Sequence, residues 1–164
     1  MPYTPILATL GYVLDADRRR VLLVHRTARP HDEQFGLYNG LGGKLDPDED
    51  VVAGMRREIR EEAGIEATDL TLRGTLNWPG FDSQGRDWFG FVFLVTGYTG
   101  RPAERSPEGE LSWVEVDRLA ALPLYEGDRL FLPLVFDASV RQFHGVLHYE
   151  GRRLASHHIE VLRP

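Results

Sequence analysis

Gly42-Gly43-Lys44-Leu45-Asp46-Pro47-Asp48-Glu49-Asp50, continued by Val51-Val52-Ala53-Gly54-Met55-Arg56-Arg57-Glu58-Ile59-Arg60-Glu61-Glu62-Ala63-Gly64-Ile65, is the most informative stretch of the chain. Val52, Met55 and Ile59 recur at i, i+3 and i+7, so Val51 to Ala63 is expected to form a helix with one apolar stripe. The acids from Asp46 to Asp50 suit its start, and Gly64 stands where a left-handed C-terminal residue belongs. Glu58, Glu61 and Glu62, three and four residues apart, then share one face. Like charges repel at that spacing, and the last turns of a helix disfavour negative charge. A hard cation bound by carboxylate oxygens relieves both. For the helix taken alone, a solvated face with Arg57 against Glu61 explains the acids equally well.

Working outward, Ile6 to Leu14 and Arg20 to His25 read as strands about the polar turn Asp15-Ala16-Asp17. Arg29 to Gly36 reads as an exposed polar loop and Tyr38 to Lys44 as a glycine-rich run. Downstream, Leu70 to Trp78 and Trp88 to Thr96 are expected strands around Asp82-Ser83-Gln84-Gly85. Leu111 to Val116 is a short strand, and Asp128 to Ala138 a helix with Asp128 as its cap. Phe143 to Tyr149 and Arg153 to Ile159 form a hairpin about Glu150-Gly151. The expected fold is α/β (α+β), a mixed β-sheet sandwiched between helices, in a single domain spanning residues 1–164.

Composition narrows the function. The 164 residues are 42% hydrophobic, enough for a packed core. The net charge of −6 argues against a nucleic-acid polymer as partner. No cysteine is present, which excludes disulfides, thiolate zinc and a cysteine nucleophile. The N-terminal residues lack a basic segment leading into an apolar one, and Phe89 to Val95 is too short to span a bilayer. A cytoplasmic protein without membrane association, monomer or homodimer, is expected.

The spacing of the opening stretch is similar to the complete signature of the Nudix hydrolase family. Five residues separate Gly43 from Glu49 and seven separate Glu49 from Arg57-Glu58-Ile59. Glu61-Glu62 and Gly64-Ile65 follow, each after one residue. The resemblance implies a Nudix fold and metal-dependent hydrolysis of a diphosphate bond in a small-molecule nucleotide, with Mg2+ or Mn2+ as cofactor. It implies Glu58, Glu61 and Glu62 as metal ligands and Glu49 paired with Arg57 to brace the loop on the helix. Gly42 and Gly43 would bring backbone close to metal or phosphate, and Lys44 would supply a point charge. The general base is expected before Trp113, with Glu108 first choice and Glu110 second.

Beyond the signature, Tyr38 to Lys44, the segment Asp128 to Phe136, and Phe143-His144-Gly145 with Gly151 resemble MutT-type oxidised-purine nucleoside triphosphatases. That likeness implies release of pyrophosphate from an oxidised purine triphosphate such as 8-oxo-dGTP, a sanitising role for the nucleotide pool. Asn39 would hydrogen-bond the base, Tyr125 would stack near it, and Asp128 would read its edge. Trp78, Phe81 and Trp88 are candidates for the wall of a base pocket. The mammalian enzymes carry two adjacent aspartates where this chain has Gly127-Asp128. An alternative within the family is hydrolysis of ADP-ribose, suggested by Pro79 fifteen residues after Gly64. A non-catalytic nucleotide-binding module is a further alternative. A Nudix-type isopentenyl diphosphate isomerase is set aside for want of a cysteine.

Overall fold

In the computed structural model, which describes residues 1–164, Ile6–Leu14 (β1) and Arg20–His25 (β2) pair antiparallel across the expected turn. Asp15 holds that turn, its carboxylate accepting from the backbone N–H groups of Arg19 and Arg20. Tyr38–Asn39 (β3) and Leu41–Lys44 (β4) follow, then Val51–Ala63 (α1), Glu66–Trp78 (β5) and Trp88–Thr99 (β6). Arg105–Ser106 (β7), Gly109–Glu115 (β8) and a 3-10 turn at Val116–Ala121 lead to Asp128–Phe136 (α2). Gln142–Glu150 (β9) and Arg153–Leu162 (β10) close the chain as a hairpin.

One mixed sheet of ten strands runs β10-β9-β5-β6-β1-β2-β8-β7, with β3 added to β2 and β4 to β1. Its parallel pairs are β1 with β6 and β5 with β9. Each face carries one helix. Met55, Ile59 and Ala63 of α1 pack on Val13, Leu22, Phe93 and Val95. Phe131, Leu132 and Val135 of α2 pack on Tyr12, Leu76, Val92 and Phe143 across the sheet. Each of the large buried side chains among them contributes roughly 1.5–3 kcal/mol of transfer free energy, so both helices are held by packing rather than propensity. No helix is long and apolar enough to cross a membrane.

Helix α1 has the expected ends. The Asp50 carboxylate accepts from Ala53 N–H at 2.8 Å, and Gly64 adopts φ 71° while its N–H donates to Arg60 O. Other boundaries differ. β5 starts at Glu66 rather than Leu70, because register shifts at Ala67/Asp69, Asp69/Leu70 and Leu72/Gly74 break its alternation. β6 runs on to Thr99 to pair with Glu66. Val116 belongs to the 3-10 turn rather than a strand, and α2 ends at Phe136, two residues before Ala138. Asp128 is not the cap of α2: Gly127 occupies that position, and Asp128 lies inside the first turn, 9% exposed.

Candidate active site

The end of β4 and the face of α1 meet through one arginine. Arg57 donates from Nε and Nη2 to both oxygens of Glu49, at 2.9 and 2.6 Å, and from Nη2 to Lys44 O at 3.0 Å. Its Nη1 reaches Glu58 at 3.0 Å and Glu61 at 3.2 Å. The loop from Lys44 to Glu49 is thereby fastened to the helix. The Arg57 guanidinium in turn holds the Glu49 carboxyl down at about 2, assisted by Asp46 N–H.

Glycine brings the strand against the acids. A Cβ on Gly43 would lie 2.6 Å from Glu58 Oε1, and one on Gly42 would lie 1.9 Å from Thr9 O. Gly42 N–H donates to Glu62 Oε2 at 3.1 Å. Burial, reinforced by the Glu58 charge, pushes Glu62 up to about 8, against the lowering effect of the Gly42 N–H. Burial also raises Glu58, although Arg57 opposes it. Glu61 stands in water, its side chain 59% exposed. No three His, Asp or Glu side chains converge closely enough to enclose a cation. The donor set nonetheless fits a hard divalent ion. Two crowded carboxylates of α1, whose charge is unfavourable together, pack directly against a glycine strand, and a third is one turn away.

A cleft of about 540 Å³ opens beside this assembly, walled by Gly42, Gly43 and Lys44 on one side. Asn39, Tyr125 and Asp128 line it too, as do Trp78, Phe81 and Trp88. The Phe81 ring lies 5.1 Å from Tyr125 and 5.7 Å from Trp78. Lys44 Nζ lies 5.6 Å from the centre of the Trp88 ring. Asp82 seats Trp88 by accepting from its Nε1 at 3.0 Å. Burial pushes the Asp128 carboxyl up to about 7, with Arg129 opposing.

The two loop glutamates part company. Glu108 lines the cleft, 3.2 Å from Arg26 Nη2 and 3.6 Å from Arg29 Nη1, and its buried Oε2 makes no hydrogen bond of good geometry. Glu110 lies in β8, faces solvent and pairs with Arg105. The structure also adds residues that sequence reading missed: Arg26, Arg29 and Gln34 line the cleft. They come from the end of β2 and from a polar loop, where no periodicity or spacing marks them.

Gly127 is closely packed. Gly127 N–H donates to Tyr149 Oη at 2.9 Å, and a Cβ there would lie 2.5 Å from that oxygen and 2.9 Å from Leu147 Cδ1. Any side chain at position 127 would require the Tyr149 hydroxyl and the Leu147 side chain to shift.

The sequence profile of the NUDIX domain matches residues 4–135. The chain belongs to the Nudix family. Among similar proteins, an uncharacterised Nudix hydrolase of Bacillus subtilis is 33% identical over 71% of this chain and 70% of its own length. An oxidised purine nucleoside triphosphate hydrolase of Danio rerio is 28% identical over 75% of this chain and 76% of its own length. The crystal structure of the mutator MutT protein of Bacillus halodurans superposes with a TM-score of 0.82 at 30% identity, covering 94% of this chain and 97% of that one. This Nudix chain is therefore a pyrophosphohydrolase of MutT type, acting on nucleotide-linked diphosphates.

Proposed function

We propose that this Nudix hydrolase cleaves purine nucleoside triphosphates, oxidised ones included, to the monophosphate and pyrophosphate. One observation carries the reading. A single cleft joins the glycine strand beside the acidic helix to an aromatic wall that holds a hydrogen-bonding amide and a buried carboxyl. The relative in Danio rerio bears an activity of this class in its name.

Glu58, Glu61 and Glu62, with the Gly42 backbone, would hold Mg2+ or Mn2+. Bound there, the ion supplies charge neutralisation for the phosphates and a more acidic water. The remaining roles belong to the chain itself. Arg26, Arg29 and Lys44 bind phosphate oxygens from the cleft wall. Glu108 accepts the proton of the attacking water, its carboxylate oriented by Arg26 and Arg29. Arg57 and Glu49 position α1 against the phosphate-binding strand. Tyr125 and Trp78 provide flat apolar surface for the base, while Asn39 and Asp128 bond its edge. With its carboxyl at about 7, Asp128 donates or accepts according to what that edge offers.

A magnesium-dependent hydrolysis screen over 8-oxo-dGTP, 2-oxo-dATP, dGTP, dCTP, ADP-ribose and a dinucleoside polyphosphate, with products resolved, tests this reading. Preferential turnover of purine triphosphates with release of pyrophosphate is expected. Preference for ADP-ribose would overturn the substrate while leaving the family intact.

A further inference from the structure

Two loops help to wall the cleft: Arg29 to Gly36, which contributes Arg29 and Gln34, and the connection from β5 to β6, which contributes Phe81. Each is stitched internally by one aspartate. Asp32 accepts from Arg26 Nε at 2.8 Å and from Gln34 N–H at 3.0 Å, and its carbonyl accepts from Phe35 N–H. The buried Asp82 accepts from the N–H groups of Gln84 and Arg86, from Arg86 Nε and from Trp88 Nε1. Gly85 N–H donates to Asp82 O and closes a turn from Asp82 to Gly85.

Ser83 N–H is the one donor of that turn that Asp82 does not take. It donates instead to Glu33 Oε2 at 2.9 Å, 50 positions away in the sequence. No other hydrogen bond joins the two loops. A carboxylate on a backbone N–H makes a charge-assisted bond, stronger than a neutral one. Its place in the molecule gives it a use. Glu33 is next to Gln34, whose side chain is hydrogen-bonded to that of Asn39. Ser83 is two residues from Phe81, whose ring packs on Tyr125. Burial pushes the Tyr125 hydroxyl up, and the Glu33 carboxylate adds the largest effect of any charge. The bond therefore ties the polar part of the cleft wall to the aromatic part.

We propose that Glu33 is a specificity-determining positioning residue, whose bond to Ser83 N–H fixes the spacing between the polar and aromatic walls so that the base of a nucleotide is held between them. The inference rests on the reading of this cleft as a base site. Without the bond each loop stays stitched, but the two shift against one another. A nucleotide then loses hold of its base while its phosphate keeps Lys44 and the glycine strand. Preorganisation of this kind strengthens binding by lowering the cost of ordering the walls around the ligand.

The test reads one ratio without metal: the affinity for a purine nucleoside monophosphate (8-oxo-dGMP and dGMP) over that for deoxyribose 5-phosphate, which has no base. Wild type is compared with Glu33→Ala, Glu33→Gln, Ser83→Ala, Ser83→Pro and the Glu33→Ala/Ser83→Pro double variant. Proline suits the second position of such a turn and removes only the N–H in question. Glu33→Ala and Ser83→Pro are each expected to lower the ratio about fivefold, the worth of one exposed charge-assisted bond. The double variant should fall no further than either, since both remove the same contact. Glu33→Gln keeps an acceptor and Ser83→Ala keeps the N–H, so both retain the ratio. A ratio untouched by Glu33→Ala overturns the inference, and so do additive losses in the double variant. A loss in Glu33→Gln as deep as in Glu33→Ala overturns it too, because Glu33 would then act through its charge alone. If the wild-type protein binds the nucleotides no more tightly than deoxyribose 5-phosphate, the base-site reading fails and the inference with it.

Discussion

Two arginines, one within α1 and one behind α2, do the same mechanical job by opposite means. Arg57 fastens the loop before its helix through the carboxylates of Glu49 and Asp46 and the Lys44 carbonyl, and it also reaches Glu58 and Glu61 of α1 itself. Arg73 of β5 fastens the end of α2 through carbonyls alone, those of Leu134, Val135, Asp137, Val140 and Arg141. A helix C-terminus leaves orphan carbonyls and a partial negative charge, so a buried guanidinium can be satisfied there by dipoles. Carbonyls that serve this purpose have no other use. Carboxylates do. The anchor at α1 is built from groups able to bind a cation, whereas the anchor at α2 offers only carbonyl dipoles.

The largest expected effect separates cation binding from anchoring. Glu61 touches only Arg57 in the structure and is mostly in water. Glu61→Gln should therefore leave the urea midpoint in place while turnover with magnesium falls about a thousandfold. Near wild-type turnover would remove Glu61 from the metal-ligand set and weaken the contrast between the two anchors.

Arg73→Met provides the converse. Five carbonyls lose their donor, two of them in buried hydrogen bonds, and the variant should lose about 3 kcal/mol of stability in urea unfolding. Below the transition its kcat should match wild type, because Arg73 lies outside the catalytic cleft. A fall in kcat at full folding would mean that α2, which carries Asp128 into the cleft, is set by its far end.

How far each anchor could be read beforehand follows from the same difference. The pairing of Arg57 with Glu49 is encoded locally, by eight residues and a family pattern around them. The partners of Arg73 are backbone groups 61 to 68 residues away, and a carbonyl leaves no mark in a sequence. Likewise α1, β1 and β2 were legible to the residue, because apolar spacing, Asp50 and Gly64 all agree. The start of β5 was not, because bulges hide alternation. In the cleft, Asn39 and Asp128 were reachable by resemblance. Arg26, Arg29 and Gln34 were not, since no periodicity or spacing ties them to the other cleft residues before the chain folds. Asp128 was misread as a cap because an aspartate before an apolar run commonly is one; here Gly127 and the Tyr149 hydroxyl occupy that place.

The smallest effect is the one that tests the chemistry of the anchors directly. Glu49 is held at about 2 in the folded chain, first by the Arg57 hydrogen bond and then by Asp46 N–H, against an ordinary value of 4.5. A carboxyl lowered on folding stabilises fully above its unfolded pKa and loses that contribution as pH falls through the folded one. The Arg57 anchor should therefore weaken progressively below about pH 4.5 and be spent near pH 2. Arg57→Met is expected to cost roughly a third as much stability as Arg73→Met near neutrality. Its deficit should shrink when urea unfolding is repeated from about pH 6 down to about pH 3. The carbonyl partners of Arg73 do not titrate, so the Arg73→Met deficit should stay level across the same range. If both deficits stayed level, the Arg57 anchor would owe its strength to packing of the arginine stem rather than to charge, and the two anchors would be alike after all.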